Sequence, residues 1–260
     1  MELAIRFATM SYGLYISAEG ARAQEQRVES LANNLANVDT PGFKRDLALF
    51  QARYAEETSR GLDYPGSQSL NDLGGGVTVC GIRTDFSPGP VKRTDTPTDF
   101  TLRGDGYFMV RKPDGDFLTR AGNFMFNSDG RLVTQENYPV LSDQGTPIEI
   151  DPDQGEWQLG PGGQIVQEGT AQNLAIVAPG SPRDLHKVGQ NLFASSRPPQ
   201  PVADDQRDVE GGFLEQSDVK PSSEMMELIE ASRAFEANLS MIRNHDQMLG
   251  TLTTRILKSS

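Results

Sequence analysis

The chain has one cysteine, Cys80, and two histidines, His186 and His245, among its 260 residues. One thiol excludes an internal disulfide and any multi-cysteine metal site, and Cys80 reads as a small residue in a strand. Neither histidine sits in a ligand-spaced group, so both read as ordinary surface or interface side chains. Basic residues are scarce too. The 24 Lys and Arg face 36 Asp and Glu, a net charge of −12, which argues against a nucleic-acid binder. No apolar run approaches the roughly twenty residues of a membrane span, so membrane insertion is not expected. The stretch from Met1 to Met10 has no basic leader followed by a long apolar core, so no cleaved secretory signal is expected. Hydrophobic residues make up only 36%, low for a globular chain. Part of it is therefore expected to be extended, or ordered only in an assembly.

What is present is organised around Asn33 to Arg45, where one pattern stops and another begins. Upstream, Phe7, Met10, Leu14, Ser17, Ala21, Gln24, Val28, Leu31, Leu35 and Val38 alternate in steps of three and four. That is a helical stripe made to pack on another helix, and it predicts one helix from about Leu3 to Val38, weakened by Gly13 and Gly20 at roughly 1 kcal/mol each. Asp39 and Thr40 favour a turn, Pro41 pushes Thr40 out of the α region, and Gly42 can take positive φ. Asn33, Asn34 and Asn37 crowd the last turn, where they could bond free helix carbonyls or a neighbouring subunit.

The stripe returns at the other end of the chain. Ser217 or Asp218 can cap, Pro221 suits a first turn, and Met225, Leu228, Ser232, Phe235, Leu239, Ile242, Leu249, Leu252 and Ile256 continue it, with Asp246 on the seam. Between the two stripes the period falls to two, with turns at Gly104-Asp105-Gly106, Asp114-Gly115 and Asn127 to Gly130. Pro182 to Asp208 reads as a loop. The expected fold is α+β: long N- and C-terminal helices forming a coiled-coil pair, with a central all-β domain. The expected segments are 1–42 (helix and motif), 43–76 (extended arm or hairpin, punctuated by Gly61, Pro65, Gly66 and Gly74 to Gly76), 77–213 (β-rich) and 214–260 (the second helix). Periodicity leaves open whether the helices merely staple the β domain or pack with copies of themselves into a tube.

Residue identities go further. Leu31 to Lys44 (Leu-Ala-Asn-Asn-Leu-Ala-Asn-Val-Asp-Thr-Pro-Gly-Phe-Lys) resembles the signature of the bacterial flagellar rod and hook axial proteins. Thr98 to Phe108, Thr119 to Phe124, Gly130 to Val133, Glu215 to Val219 and Glu224 to Glu236 resemble further blocks of that family, in its order. The resemblance implies a structural subunit of the flagellar basal-body rod, polymerising through its terminal helices into the drive shaft between basal body and hook. It implies export through the flagellar type III apparatus without cleavage, and partners that are copies of itself and other rod and hook axial proteins. The length suits the proximal or distal rod, with the proximal type preferred. The residues expected at the assembly interface are Leu14, Val28, Leu31, Asn33, Asn34, Leu35, Asn37, Val38, Pro41, Gly42 and Phe43, with Met225, Leu228, Phe235, Leu239, Ile242 and Leu249. A distal-rod or hook protein, or a soluble coiled-coil adaptor, is the alternative.

No cofactor, metal or enzymatic activity is expected. Gly104-Asp105-Gly106 lacks the third glycine and following helix of a dinucleotide loop. Gly74 to Gly76 has no lysine after it. Asp151-Pro152-Asp153 opens like a calcium loop, but Gly162 stands where the closing glutamate belongs. No turn gathers a nucleophile, a base and an orienting group.

Overall fold

The computed structural model describes residues 2–54, 58, 60–61, 64, 74–151, 154–160 and 162–258, the side chains of 2–12, 252 and 255–258 excepted. Pro65 and Gly66 of the arm, Pro152 and Asp153 of the calcium-like opening, and the side chains of Phe7, Met10, Leu252 and Ile256 lie outside the described residues. The chain divides into two compact units. One, the helical unit, is formed by residues 1–36, 46–83 and 220–260; the other, the β unit, by 37–45 and 84–219.

In the helical unit, α1 spans Glu2–Ala36 and α2 spans Pro221–Lys258. Pro221 opens α2, where its missing N–H and fixed φ suit a first turn. The third component is a two-stranded sheet of β1 (Asp46–Ala52) and β2 (Val77–Thr84). Gly13 lies against the His245 ring and Gly20 against Asn238, while Arg27 bonds Glu227 at 3.3 Å. The order of these contacts makes the helices antiparallel. A Cβ on Gly20 would sit 3.0 Å from Asn238 Oδ1. The two helix-weakening glycines therefore make room for polar side chains of α2.

The expected coiled-coil pair is corrected. A coiled coil buries large apolar knobs at every a and d position. Here the buried helical residues are Ser17, Ala21, Ala23, Ser30, Leu31 and Asn34 of α1 with Glu224 and Ala231 of α2. Leu31 is the one large apolar stripe residue fully buried among those described; Leu14, Val28, Leu35, Leu228, Phe235, Leu239, Ile242 and Leu249 are half-buried, and Met225 is exposed. On α2 the inward positions 224 and 231 fall one residue before the predicted Met225 and Ser232, a rotation of about 100°. Asp246, expected on the seam, is exposed, and His245 faces α1 instead. Contacts through small and polar groups, not a heptad seam, close the helix pair.

Every described strand pair of the β unit is antiparallel. Its main sheet orders β13 (Leu185–Gly189), β14 (Leu192–Ser195), β6 (Gly115–Thr119), β5 (Tyr107–Lys112), β12 (Ile176–Ala178) and β15 (Gln200–Pro201). Two-residue alternation sorts β5: Phe108 and Val110 enter one core, with Phe100, Phe124, Leu132, Ile148 and Leu174. Tyr107 enters a second with Leu118, Val177, Leu185 and Phe193. The sole tryptophan, Trp157, packs edge-on against Phe100 and Phe126. Two small pairings complete the frame used below: β4 (Phe100–Arg103) with β16 (Asp208–Gly211), and β3 (Val91–Arg93) with β17 (Phe213–Glu215).

The loop expected over Pro182 to Asp208 is a second correction. It holds the β13–β14 hairpin, turned at Gln190 and Asn191, which both have positive φ (53° and 56°). Such a turn matches strand twist but normally advertises itself with glycine, and here the glycine (Gly189) stands before it.

Candidate assembly site

The motif after α1 starts with Thr40 N–H donating to Asn37 O (3.2 Å) and Thr40 Oγ1 bonding Asn37 Oδ1 (3.2 Å). Phe43 N–H then closes on Thr40 O at 3.3 Å, with Gly42 at φ 65°. Proline second and a positive-φ glycine third define a type II turn. Glycine is demanded twice over at position 42, because a Cβ there would fall 2.5 Å from Ala121 N and from the Arg120 carbonyl carbon. The turn is held by other elements of the β unit. Gly42 N–H donates to Glu215 O (2.8 Å), and Asn191 Nδ2 on the β13–β14 tip donates to Pro41 O (2.7 Å). Lys187 stands over the Phe43 ring at 4.1 Å and donates to Lys44 O at 2.5 Å.

At the motif's end the chain buries a lysine. Lys44, 1% exposed, bonds Glu215 Oε1 (2.5 Å) and Ser87 O (2.8 Å). Glu215, itself 3% exposed, also accepts from Gly89 N–H (3.0 Å) and from Arg120 Nη1 (3.4 Å). Arg120 reaches Leu102 O (3.2 Å) and Gly104 O (2.6 Å), and its guanidinium stacks 5.0 Å from the Tyr107 ring. Burial pulls the Lys44 ammonium below its ordinary pKa, against the opposing pull of Glu215. Burial likewise raises the Tyr107 phenol, with the Arg120 charge working the other way.

The helical unit has a matching polar centre. Asn34, 0% exposed, accepts from Asp46 N–H at 2.9 Å and donates to Asp46 O (2.8 Å) and Glu224 Oε2 (3.4 Å). Ser30 Oγ adds a bond to Asp46 O at 3.0 Å. This is the side-chain job expected of the asparagine cluster, but its target is the re-entering backbone of the same chain.

The predicted interface residues thus fall into two sets. Leu14, Val28, Leu31, Asn33, Asn34 and Leu35, with those of α2, lie in the helical unit; Asn37, Val38, Pro41, Gly42 and Phe43 lie in the β unit. Asn33 is exposed, Asn34, Gly42 and Phe43 are buried, and Asn37, Val38 and Pro41 are half-buried. Sequence reasoning missed Lys44, Arg120, Lys187, Asn191, Glu215 and Glu224. Lys44, Arg120, Glu215 and Glu224 stand inside the resemblance blocks, yet a charge in a sequence reads as surface unless its partner is known. On α2, Met226, Ile229, Met241 and Met248 are all exposed.

Comparison with known proteins adds the following. Residues 14–44 match the family described as flagella basal body rod protein, 101–167 the flagellar hook protein FlgE/F/G D1 domain, and 210–255 the flagellar basal body rod FlgEFG protein C-terminal. The flagellar basal-body rod protein FlgF of Caulobacter vibrioides is 33% identical, covering 96% of this chain and 99% of its own. The rod protein FlgG of Bacillus subtilis is 31% identical (94% and 98% covered), and the FlgF of Mesorhizobium japonicum 30% identical (95% and 100% covered).

Proposed function

The chain belongs to the flagellar basal-body rod protein family and is a structural subunit of the rod; from that premise we propose that it polymerises through the outward faces of its terminal helices. The observation that carries this reading is the exposure of four large apolar side chains of α2, Met226, Ile229, Met241 and Met248. Apolar side chains gathered on an exposed face mark an interaction surface. Unbranched methionines adapt to the slightly different neighbours a subunit meets around a helical assembly.

The family places the protein in the flagellar basal body, among other rod and hook components. The finer reading is that its direct neighbours are copies of itself and of those axial proteins, and that the half-buried stripe and the 37–43 turn shape the subunit for them. It reaches the periplasm through the flagellar type III export apparatus with its amino terminus uncleaved, and it has no catalytic role. No described helix is long and apolar enough to cross a membrane. Similarity is shared between FlgF and FlgG relatives at 33% and 31%, so it describes a rod subunit without dividing the two segments.

The test is an immunoblot of detergent-extracted, purified hook–basal bodies from cells carrying the wild type or Met226→Glu/Met241→Glu. Wild-type protein is expected in the particle. The double variant, folded by circular dichroism, is expected to be absent from it. Normal incorporation of the variant refutes the outer-face reading, and absence of the wild type refutes assembly into the rod.

A further inference from the structure

We propose that the two buried polar centres are fasteners, one inside each unit, that tie together the separate stretches of chain passing between the units. For its purpose the proposal rests on the rod reading above. The backbone passes from unit to unit after Ala36, Arg45, Arg83 and Val219. Four single peptide threads, each free to rotate about its φ and ψ, would make a compliant joint in the subunit of a rotating shaft.

Inside the β unit every one of those passages is bonded to another within a few residues of its exit. Gly42 N–H on Glu215 O joins the stretch leaving α1 to the stretch entering α2, and the Lys44–Glu215 ion pair repeats the connection. Lys44 Nζ on Ser87 O and Asp85 N–H on Arg45 O (2.8 Å each) bring in the chain arriving from β2. Gly89 N–H on Glu215 Oε1 closes the loop. Glu215 therefore touches all the incoming stretches, and Arg120 holds its second oxygen from the core side.

The helical unit repeats the device. Asn34, in the last turn of α1, grips Asp46 through both its backbone groups and reaches Glu224 in the first turn of α2. The passages around 36, 45 and 219 are thus tied in both units, and the one after β2 in the β unit. Buried charges are a poor way to gain stability, since well-packed apolar groups do as well. They are a good way to fix one geometry, because each carboxylate or amide oxygen must find its own donor. Glu215 satisfies one backbone N–H and two cations from different stretches, a demand that a slipped arrangement would leave unmet.

The test is native-state amide hydrogen exchange on the purified full-length protein, which does not depend on rod assembly. In the wild type, the amides of Gly42, Asp85, Gly89 and Gln216 are expected to exchange within about tenfold of Val110 and Leu118 in the β5–β6 core. In Lys44→Met/Glu215→Leu, where both ion partners are removed together, those four amides are expected to exchange at least about tenfold faster while Val110 and Leu118 hold. Exit amides that exchange about a hundredfold faster than the core in the wild type overturn the proposal. So does a variant in which the exits stay protected, or in which the whole unit loses protection in step. If the variant does not fold, the wild-type pattern decides. A protected, selectively loosened set of exits in a protein missing from basal bodies would leave the fasteners standing and remove only their purpose.

Discussion

Replacing Glu215 by leucine strands two buried cations. Lys44, 1% exposed, keeps only Ser87 O as an acceptor, and Arg120 keeps Leu102 O and Gly104 O. Breaking a buried pair by removing one partner costs about 3–5 kcal/mol, and the Gly89 N–H that loses Glu215 Oε1 adds about 1 kcal/mol. Arg120 retains two carbonyls, so Lys44 dominates the loss and about 4 kcal/mol is the working figure. The readout is built in. Trp157, the only tryptophan, lies in the β unit against Phe100 and Phe126, so its fluorescence during urea unfolding reports that unit alone. At a denaturant slope of about 2 kcal/mol per molar, the midpoint of Glu215→Leu is expected to fall by about 2 M. Lys44→Met on its own orphans the carboxylate but leaves it Arg120 and Gly89, so a smaller loss is expected. The double variant Lys44→Met/Glu215→Leu puts two apolar side chains where two charges were, and is expected to return to within about 1–2 kcal/mol of the wild type. The coupling energy of that cycle should exceed about 2 kcal/mol. A single Glu215→Leu loss below about 1 kcal/mol, or a double variant as unstable as the sum of the singles, would refute the view of these groups as a mutually compensated cluster.

Other perturbations follow from the same geometry. Gly42→Ala forces a non-glycine residue to φ 65° and drives its Cβ to 2.5 Å from backbone at Arg120 and Ala121; at least about 3 kcal/mol should be lost in the Trp157 urea transition, and an unchanged midpoint would contradict the close approach. Asn34→Ala removes an acceptor from the Asp46 amide and one of two donors from its carbonyl, which keeps the Ser30 hydroxyl, so about 1–3 kcal/mol should vanish from the helical transition followed by circular dichroism. Asn34→Asp, which sets a carboxylate beside Glu224, should be worse still, and equal stability would argue against that contact. The Asp85 carboxyl is held below its ordinary 3.8 chiefly by the Ser87 hydroxyl and also by the Ser87 amide. Its folded-state pKa is below the unfolded one, so its contribution is complete above about pH 3.8 and is lost as pH falls from there through the folded value. Ser87→Ala should shift the Asp85 carboxyl titration upward by NMR, whereas an unmoved titration would deny the hydroxyl its part.

Much of this molecule was legible because local chemistry and tertiary structure agree in it. Thr40-Pro41-Gly42-Phe43 reads as a turn in which Gly42 can take positive φ, and the structure makes it a type II turn. The Asp114-Gly115 signal lies at the β5–β6 turn, where Lys112 pairs with Gly115. The helix ends were readable for the same reason: Pro221 starts α2 and the asparagines finish α1. What failed depended on partners far away in sequence. On α2, Met225 and Glu224 differ by one step, and hydrophobicity favours the methionine; Asn34, 190 residues distant, draws the glutamate inward. Lys44 is a surface residue by every local rule, and becomes a core residue only because Glu215, 171 residues on, lies beside it. The β13–β14 hairpin escaped because Gln190 and Asn191 take a conformation that sequence reasoning reserves for glycine, while Leu192 and Phe193 hide between prolines and charges. The coiled-coil expectation erred by treating a three–four spacing as sufficient, when small and polar residues fill the buried places.

Synthesis and delivery proceed from one end, which gives the split helical unit a timetable. Glu2–Ala36 emerges first and Pro221–Lys258 last, so α1 waits for α2 across roughly 180 intervening residues, about 10–40 seconds at ordinary elongation speeds. During that interval the residues α2 will cover, Ala21, Leu31 and their neighbours, have no helix to lie against. The β unit can begin to pair its adjacent strands, β5 with β6 and β13 with β14, long before. But its clasp, Glu215, is itself among the last parts to arrive. The chain therefore stays open at its joint until it is nearly complete, and then closes both knots at once.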